Sequence, residues 1–422
     1  MVTVLSGGTK TGEESGPADP RRRNTPVLVG FTAVTNLADG VVKMALPVLA
    51  TRLTGSPAEV TAVSLTLTLP WLLVALHIGV LVDRFDRRLL LWGANGARLA
   101  ATAWLTASAT GGGLTLGTLL AAGAVLGVAD VLASTSASAL VPAAVPEERR
   151  EGANAWMVGA ETVAQEFAGP FVGGLLLAAG TGIALGATSV AYALAALALL
   201  LLVGRFRAPA PAPDAVAVPV NARIAEGMRF LWHDRVLRTL SLIVAVLAAV
   251  WGAWLALMPL YARQAMELGP REYGIVLSAL GVGGLVGAMA VTRVNRLLGA
   301  RWAMFADLVG TALMVALPAL TTDIRAVAAG AFLGGMGGTL WTVNARTLTQ
   351  RVVPDEMLGR YNAAARLFSF GAMPLGAALV GLLAEWGGTR LAFGVFALAV
   401  AVTPVPFLRN VTPSALRAFH AR

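Results

Sequence analysis

The sequence predicts an all-α membrane protein of twelve transmembrane helices, arranged as two six-helix pseudo-repeats. Three observations carry that prediction. Only 13% of the 422 residues are charged and 57% are hydrophobic, whereas a soluble domain carries about 25% charged residues. Twelve segments are apolar over the roughly 20 residues that cross a bilayer as a helix. Their centres fall near residues 38, 70, 99, 125, 165, 192, 250, 284, 311, 336, 373 and 399. The third observation is a repeat: VPEERREGANA (145–155) and VPDEMLGRYNA (353–363) align without a gap at an offset of 208 residues.

Lipid offers the backbone no hydrogen-bond partners, so the spans must be helices or a closed barrel, and no strand-like alternation supports a barrel. Taken in order, residues 1–26 are polar and lack the apolar core of a signal peptide, so they are expected to form a disordered cytoplasmic tail. Residues 27–204 hold six spans and residues 239–408 the other six. Between them, 205–238 starts as a Pro/Ala linker and continues as an amphipathic helix from about Asn221 to Arg238. Ile224, Met228, Leu231 and Trp232 share one face of it, which suits an anionic membrane surface. Residues 409–422 form a second tail.

The net charge of +9 has a simple source. With the N-terminus placed in the cytoplasm, inner segments carry 24 of the 32 Lys and Arg residues and outer loops five; Lys43, Arg98 and Arg366 lie inside spans. That asymmetry is the positive-inside pattern. It puts both termini in the cytoplasm and the chain in the plasma membrane, with no nucleic-acid partner. The absence of cysteine excludes disulfides, thiolate metal sites and a cysteine nucleophile. No phosphate-binding loop of the Gly-x-x-x-x-Gly-Lys-Ser/Thr type is present. The three histidines are scattered at 77, 233 and 420. An enzyme, a metal site and a cofactor are therefore not expected.

Charge is concentrated between spans 2 and 3, in GVLVDRFDRRLL (79–90). Gly79, Asp83, Arg84, Arg87 and Arg88 at this spacing and place resemble the loop motif of the major facilitator superfamily, and the resemblance runs from about residue 27 to 408. Asp86 stands where the commonest version has glycine, as in the branch that resembles enterobactin and macrolide exporters. The resemblance implies a conformational latch: Asp83 facing the N-terminus of span 11, with Arg87 bridging Asp83 to Asp130. Gly79 would permit a close approach between helices. The plainer reading makes Arg84, Arg87 and Arg88 positive-inside anchors.

In span 5, Gly169, Pro170, Gly173 and Gly174 resemble the antiporter signature of drug exporters, with Gln165 in place of an earlier glycine. Generic small-residue packing explains the same residues. Ionisable groups inside spans are costly and tend to face a cavity or a partner. Asp39, about twelve residues into span 1, lies near the midplane with Lys43 one turn on, while Glu161 and Glu166 lie in span 5. A carboxylate caught between burial and a neighbouring cation can exchange protons, so these three are the proton-coupling candidates. The alternatives are a permanent ion pair of Asp39 with Lys43 or Arg98, and structural hydrogen bonds for the glutamates. Asn36, Lys43, Asn95, Arg98, Gln165, Trp251, Trp254 and Trp341 are candidates to line a substrate cavity, with interface or core packing the alternative for the tryptophans; span 9 adds Asp307 and span 11 Arg366.

The expected function is secondary active transport: proton-coupled efflux of small amphipathic molecules by a monomer that alternates access across the bilayer. An uptake symporter and a non-transporting scaffold or sensor are the alternatives.

Overall fold

The structure is a computed structural model that describes residues 23–204, 206 and 220–412. Most of both expected tails and the Pro/Ala linker lie outside the described residues, as do some side chains within helices, including those of Asp83 and Arg366.

The N-terminal half begins with α1 (Asn24–Leu53). Asn24 clamps its start to two later helix ends, donating to the carbonyls of Ala144 and Val203 at 2.9 Å each and accepting from the Val203 amide. Next come α2 (Pro57–Leu73), with Ser56 as N-cap and Pro57 in its first turn, and α3 (Ala75–Arg84). The two are separated at Val74, one turn after Pro70. Asp86 caps α4 (Arg87–Thr110), accepting from the amides of Arg88 and Leu89, which gives the departure from glycine at this position a structural use. Thr115 opens α5 (Leu116–Ala144) with a capping box. The fifth span is composite: α6 (Arg150–Glu161), a π-helical turn (Thr162–Ala168) and α7 (Gly169–Ala179). The half ends with α8 (Thr181–Ala198).

The C-terminal half follows α9 (Val220–His233) and comprises α10 (Arg235–Gln264), α11 (Pro270–Leu298), α12 (Ala300–Leu320), α13 (Ile324–Val352), α14 (Asp355–Val402) and α15 (Pro404–Asn410). Within α14 the chain turns at Gly388, whose φ of 82° a side chain would resist, so α14 holds the last two expected spans.

Among the described residues nine helices are long and apolar enough to cross a membrane. The difference from twelve has three sources: the broken α2–α3 pair, the polar α4 and the joining of two spans in α14. The sequence repeat is also a backbone repeat. Pro146 (φ −54°, ψ 145°) and Pro354 (φ −56°, ψ 144°) adopt the same conformation at corresponding helix starts.

α9 departs from expectation. Its apolar face is partly taken up by protein: Leu231 is fully buried with Tyr361 and Ala364, whereas Trp232 stacks on Phe368 and stays exposed. Gly227 abuts the Arg360 carbonyl, and Glu226 pairs with Arg360 at 2.5 Å. An amphipathic stripe suits a protein groove as well as a leaflet, and the start of α14 supplies the groove.

The halves meet along α2 with α14 and α7 with α11. Glycine makes the second contact possible, since a Cβ on Gly174 would stand 2.7 Å from the Pro270 carbonyl and 3.2 Å from Gly274 Cα.

A central cavity between the halves

A cavity of about 1270 Å³ separates the two halves over much of their length. One end is shut. There Ser56 Oγ and the Ala58 amide donate to Glu385 Oε2 at 2.7 and 3.2 Å, Arg263 donates to the Thr51 carbonyl, and Gln264 reaches the Gly55 carbonyl at 3.4 Å. All four contacts join one half to the other. Toward the end that bears the chain termini the cavity wall continues through Ser138, Met157, Ala288 and Val343. At that end, among the described residues, no hydrogen bond or ion pair crosses between the halves.

The N-terminal wall carries the charge. Arg98 of α4 is 2% exposed, and its Nη2 lies 3.1 Å from Asp39 Oδ2 on α1 and 2.9 Å from Asp130 Oδ1 on α5. Lys43 reaches Asp130 Oδ2 at 3.7 Å, and the Trp71 indole donates to the same oxygen at 3.2 Å. Tyr192 of α8 donates its hydroxyl to Asp39 Oδ1 at 2.7 Å while the Arg98 guanidinium sits 5.4 Å from its ring centroid. Two carboxylates and two cations make a formally neutral cluster, the form in which buried charge is tolerable. The sequence left Asp39 free to pair with Lys43 or Arg98; its partner is Arg98, and Lys43 turns to Asp130.

Asp130 is a correction. The latch expected Arg87 to bridge Asp83 to it, but Asp130 lies fourteen residues from either end of α5, roughly 21 Å deep at 1.5 Å per residue. Arg87 is the first residue of α4, at a helix end. Asp130 therefore belongs to the cavity. The side chain of Asp83 lies outside the described residues; Arg84 is exposed and Arg88 half-buried. Among the described residues nothing stands within 4 Å of where a Gly79 Cβ would be, so the close approach expected there is not made.

Span 5 supplies the unpaired acids. Glu161 and Glu166 face the cavity and are exposed to it, and among the described residues neither forms an ion pair. Gln165 Nε2 donates to Glu166 Oε1 at 3.2 Å. Glu161 immediately precedes the π-helical turn and Gln165 and Glu166 lie within it, a feature frequent at functional sites. Pro170 follows it and has no N–H to offer the Gln165 or Glu166 carbonyl. A glycine from another helix approaches each: a Cβ on Gly40 of α1 would stand 2.6 Å from the Gln165 oxygen, and one on Gly281 of α11 would stand 2.2 Å from the Glu166 oxygen. Gly169 packs on Gly40, Gly173 on Val41, and Gly174 on α11. Two of these three contacts stay within the first half; only Gly174 crosses to the second.

The C-terminal wall is mostly apolar, with Leu247, Trp251, Leu280 and Trp341 facing the cavity. Asn36 and Gln165 also line it. Two expected residues do not. Trp254 is fully buried and outside the lining, because helix packing turns Trp251 inward instead. Asn95 is fully buried and gives its amide to the Leu91 carbonyl one turn back. Tyr192 and Trp71 were missed; the only signal for Tyr192 was a lone phenol in an Ala/Leu-rich span.

Two helical halves around a cavity sealed at one end, with ionisable walls, define a membrane transporter of the major facilitator fold. The chain belongs to the transmembrane secretion effector family, whose sequence profile matches residues 25–417. It is 28% identical over 391 residues to the multidrug efflux pump Tap of Mycolicibacterium fortuitum, covering 88% of this chain and 92% of that protein. To Tap of Mycobacterium tuberculosis (strain ATCC 25618 / H37Rv) it is 28% identical over 395 residues, 90% and 91% of the two chains. Among solved structures, the nucleoside transporter NupG (D323A mutant) superposes with a TM-score of 0.71 at 12% identity, over 92% of this chain and 100% of that one. A bacterial homologue of the human lysosomal transporter Spinster, inward-facing and unoccupied, gives 0.68 at 14% identity, over 96% and 99%.

Proposed function

We propose that the protein exports small amphipathic molecules across the plasma membrane by proton-coupled alternating access, with both termini in the cytoplasm. The observation that carries this reading is the large, mostly apolar cavity with two unpaired glutamates, closed at the end opposite the termini. Positive-inside charge makes the open end cytoplasmic, so the conformation is inward-facing and ready to load. A cavity of this size lies just above the roughly 300–1,000 Å³ of ordinary small-ligand sites and suits a bulky solute. Likeness to the Tap multidrug efflux pumps supports drugs or secreted natural products as the cargo.

The coupling acids in this reading are Glu161 and Glu166. Asp39 is held by Arg98 and Tyr192, and its role is to keep the N-terminal wall assembled. The 79–88 loop acts as the latch of the outward-facing state. Gly169, Pro170, Gly173 and Gly174 let span 5 pivot between α1 and α11.

The test is uphill transport in inside-out vesicles, screened over a panel of fluorescent drugs under an imposed pH gradient. Accumulation that collapses with the gradient is the expected result. Movement in the opposite direction would establish an uptake symporter instead, and no movement for any compound would favour a scaffold or sensor.

A further inference from the structure

The C-terminal half contains a buried acid that neither the cavity network nor span 5 accounts for. Asp307 of α12 is 1% exposed yet borders the cavity. The Thr311 hydroxyl, one turn on, donates to its Oδ1 at 3.0 Å. Gly337 of α13 makes room for it, since a Cβ there would stand 2.7 Å from the same oxygen. One turn along α13, Trp341 lines the cavity with its indole Nε1 buried and without an acceptor.

No described cation is recorded in contact with this carboxylate. α12 packs against α13, α14, α11, α10 and α15. On α13 the charged groups are Arg325, in the first turn, Arg346, nine residues or roughly 13 Å beyond Gly337, and Arg351 in the last turn, whose side chain lies outside the described residues. Arg301 lies six residues, roughly 9 Å, before Asp307 on α12 itself. On α11, Arg271, Glu272 and Tyr273 occupy one end and Arg293 and Arg296 the other. α10 has Arg235 and Arg238 at its start and Tyr261 and Arg263 at its end, and α15 has Arg409. On α14, Arg360 is paired with Glu226, Tyr361 is buried beside α9, Glu385 is bound at the shut end and Arg390 follows the turn at Gly388; the side chains of Asp355 and Glu356, in the first turn, and of Arg366 lie outside the described residues.

An ionised carboxylate buried without a partner is costly. A substrate amine cannot approach a group so nearly enclosed, with the α13 backbone against one oxygen. A proton can. We infer that Asp307 is a second proton-exchange site of the transporter, in the half opposite Glu161 and Glu166 and in contact with the α12–α13 seam. This rests on the proton-coupled reading above, but its direct test does not require transport.

The test is infrared difference spectroscopy of the full-length protein in lipid across a pH series. A carboxylic-acid carbonyl band that titrates in the wild type and is missing in Asp307→Asn is the expected result. No acid band lost on the substitution would mean a permanently charged Asp307, and a band constant at every pH would mean a permanently protonated one; either overturns the proposal. Should Asp307→Asn fail to insert, Thr311→Val removes only the hydroxyl donor and is expected to shift the same band, whereas an unaltered titrating band would overturn the assignment. In vesicles, Asp307→Asn should lower proton-driven efflux about tenfold, with recovery in Asp307→Glu, as for a functional intramembrane acid. Loss of coupling at Glu161 alone would leave the infrared result standing, so the two readings fail separately.

Discussion

The two halves share a backbone but not a chemistry. Their repeat is visible in the matching conformations of Pro146 and Pro354, yet the N-terminal wall holds Asp39, Lys43, Arg98 and Asp130 while the C-terminal wall presents tryptophan and leucine with Asp307 behind them. A duplicated scaffold has thus been given two jobs. One half spends its polar groups on each other in a neutral cluster, and the other offers the apolar surface on which an amphipathic solute can rest. Span 5, at the boundary, carries the acids left over.

That contrast can be broken at its strongest point first. Arg98→Met leaves two buried carboxylates with one partly exposed lysine, and breaking a buried charge network costs roughly 3–5 kcal/mol. Thermal unfolding of the purified protein should register a large loss, and an unchanged midpoint would deny that the cluster holds the half together. Tyr192→Phe is milder. It deletes a hydrogen bond to a charged acceptor, worth about 1.5–3 kcal/mol, and the same assay should show a smaller fall with the fold retained. Gly174→Val acts on the seam rather than the wall. Overpacking of about 1–3 kcal/mol should disfavour the shut end against α11. Because the chain has no cysteine, a single Ser56→Cys reports that opening directly through its reaction with an external maleimide, which should quicken in the valine variant.

The architecture was largely legible because a bilayer demands long apolar helices and the duplication left a visible repeat. The count was harder to read in α2–α3, α4 and α14, where a break, embedded polar residues and a turn at one glycine blur the segments. The site was legible as a set of residue types and not as a set of pairs. Asp39, Lys43 and Arg98 were conspicuous as charges in oil, but whether Asp39 met Lys43 or Arg98 depended on how α1 and α4 rotate against each other. Asp130 was misplaced because its depth follows from the true ends of α5, which apolar flanks conceal. Trp251 and Trp254 are three residues apart on one helix, and only packing decides which faces the cavity. The amphipathic pattern of α9 is the same whether lipid or protein covers it.

The central claim is that the unpaired glutamates of span 5 carry the coupling proton while the N-terminal cluster is structural. Its most direct test is the count of protons released when a transported drug is added to the protein in detergent or lipid. Wild-type protein should release protons on drug addition, and the double variant Glu161→Gln with Glu166→Gln should release markedly fewer while still binding the drug. Undiminished release from that variant would contradict the account.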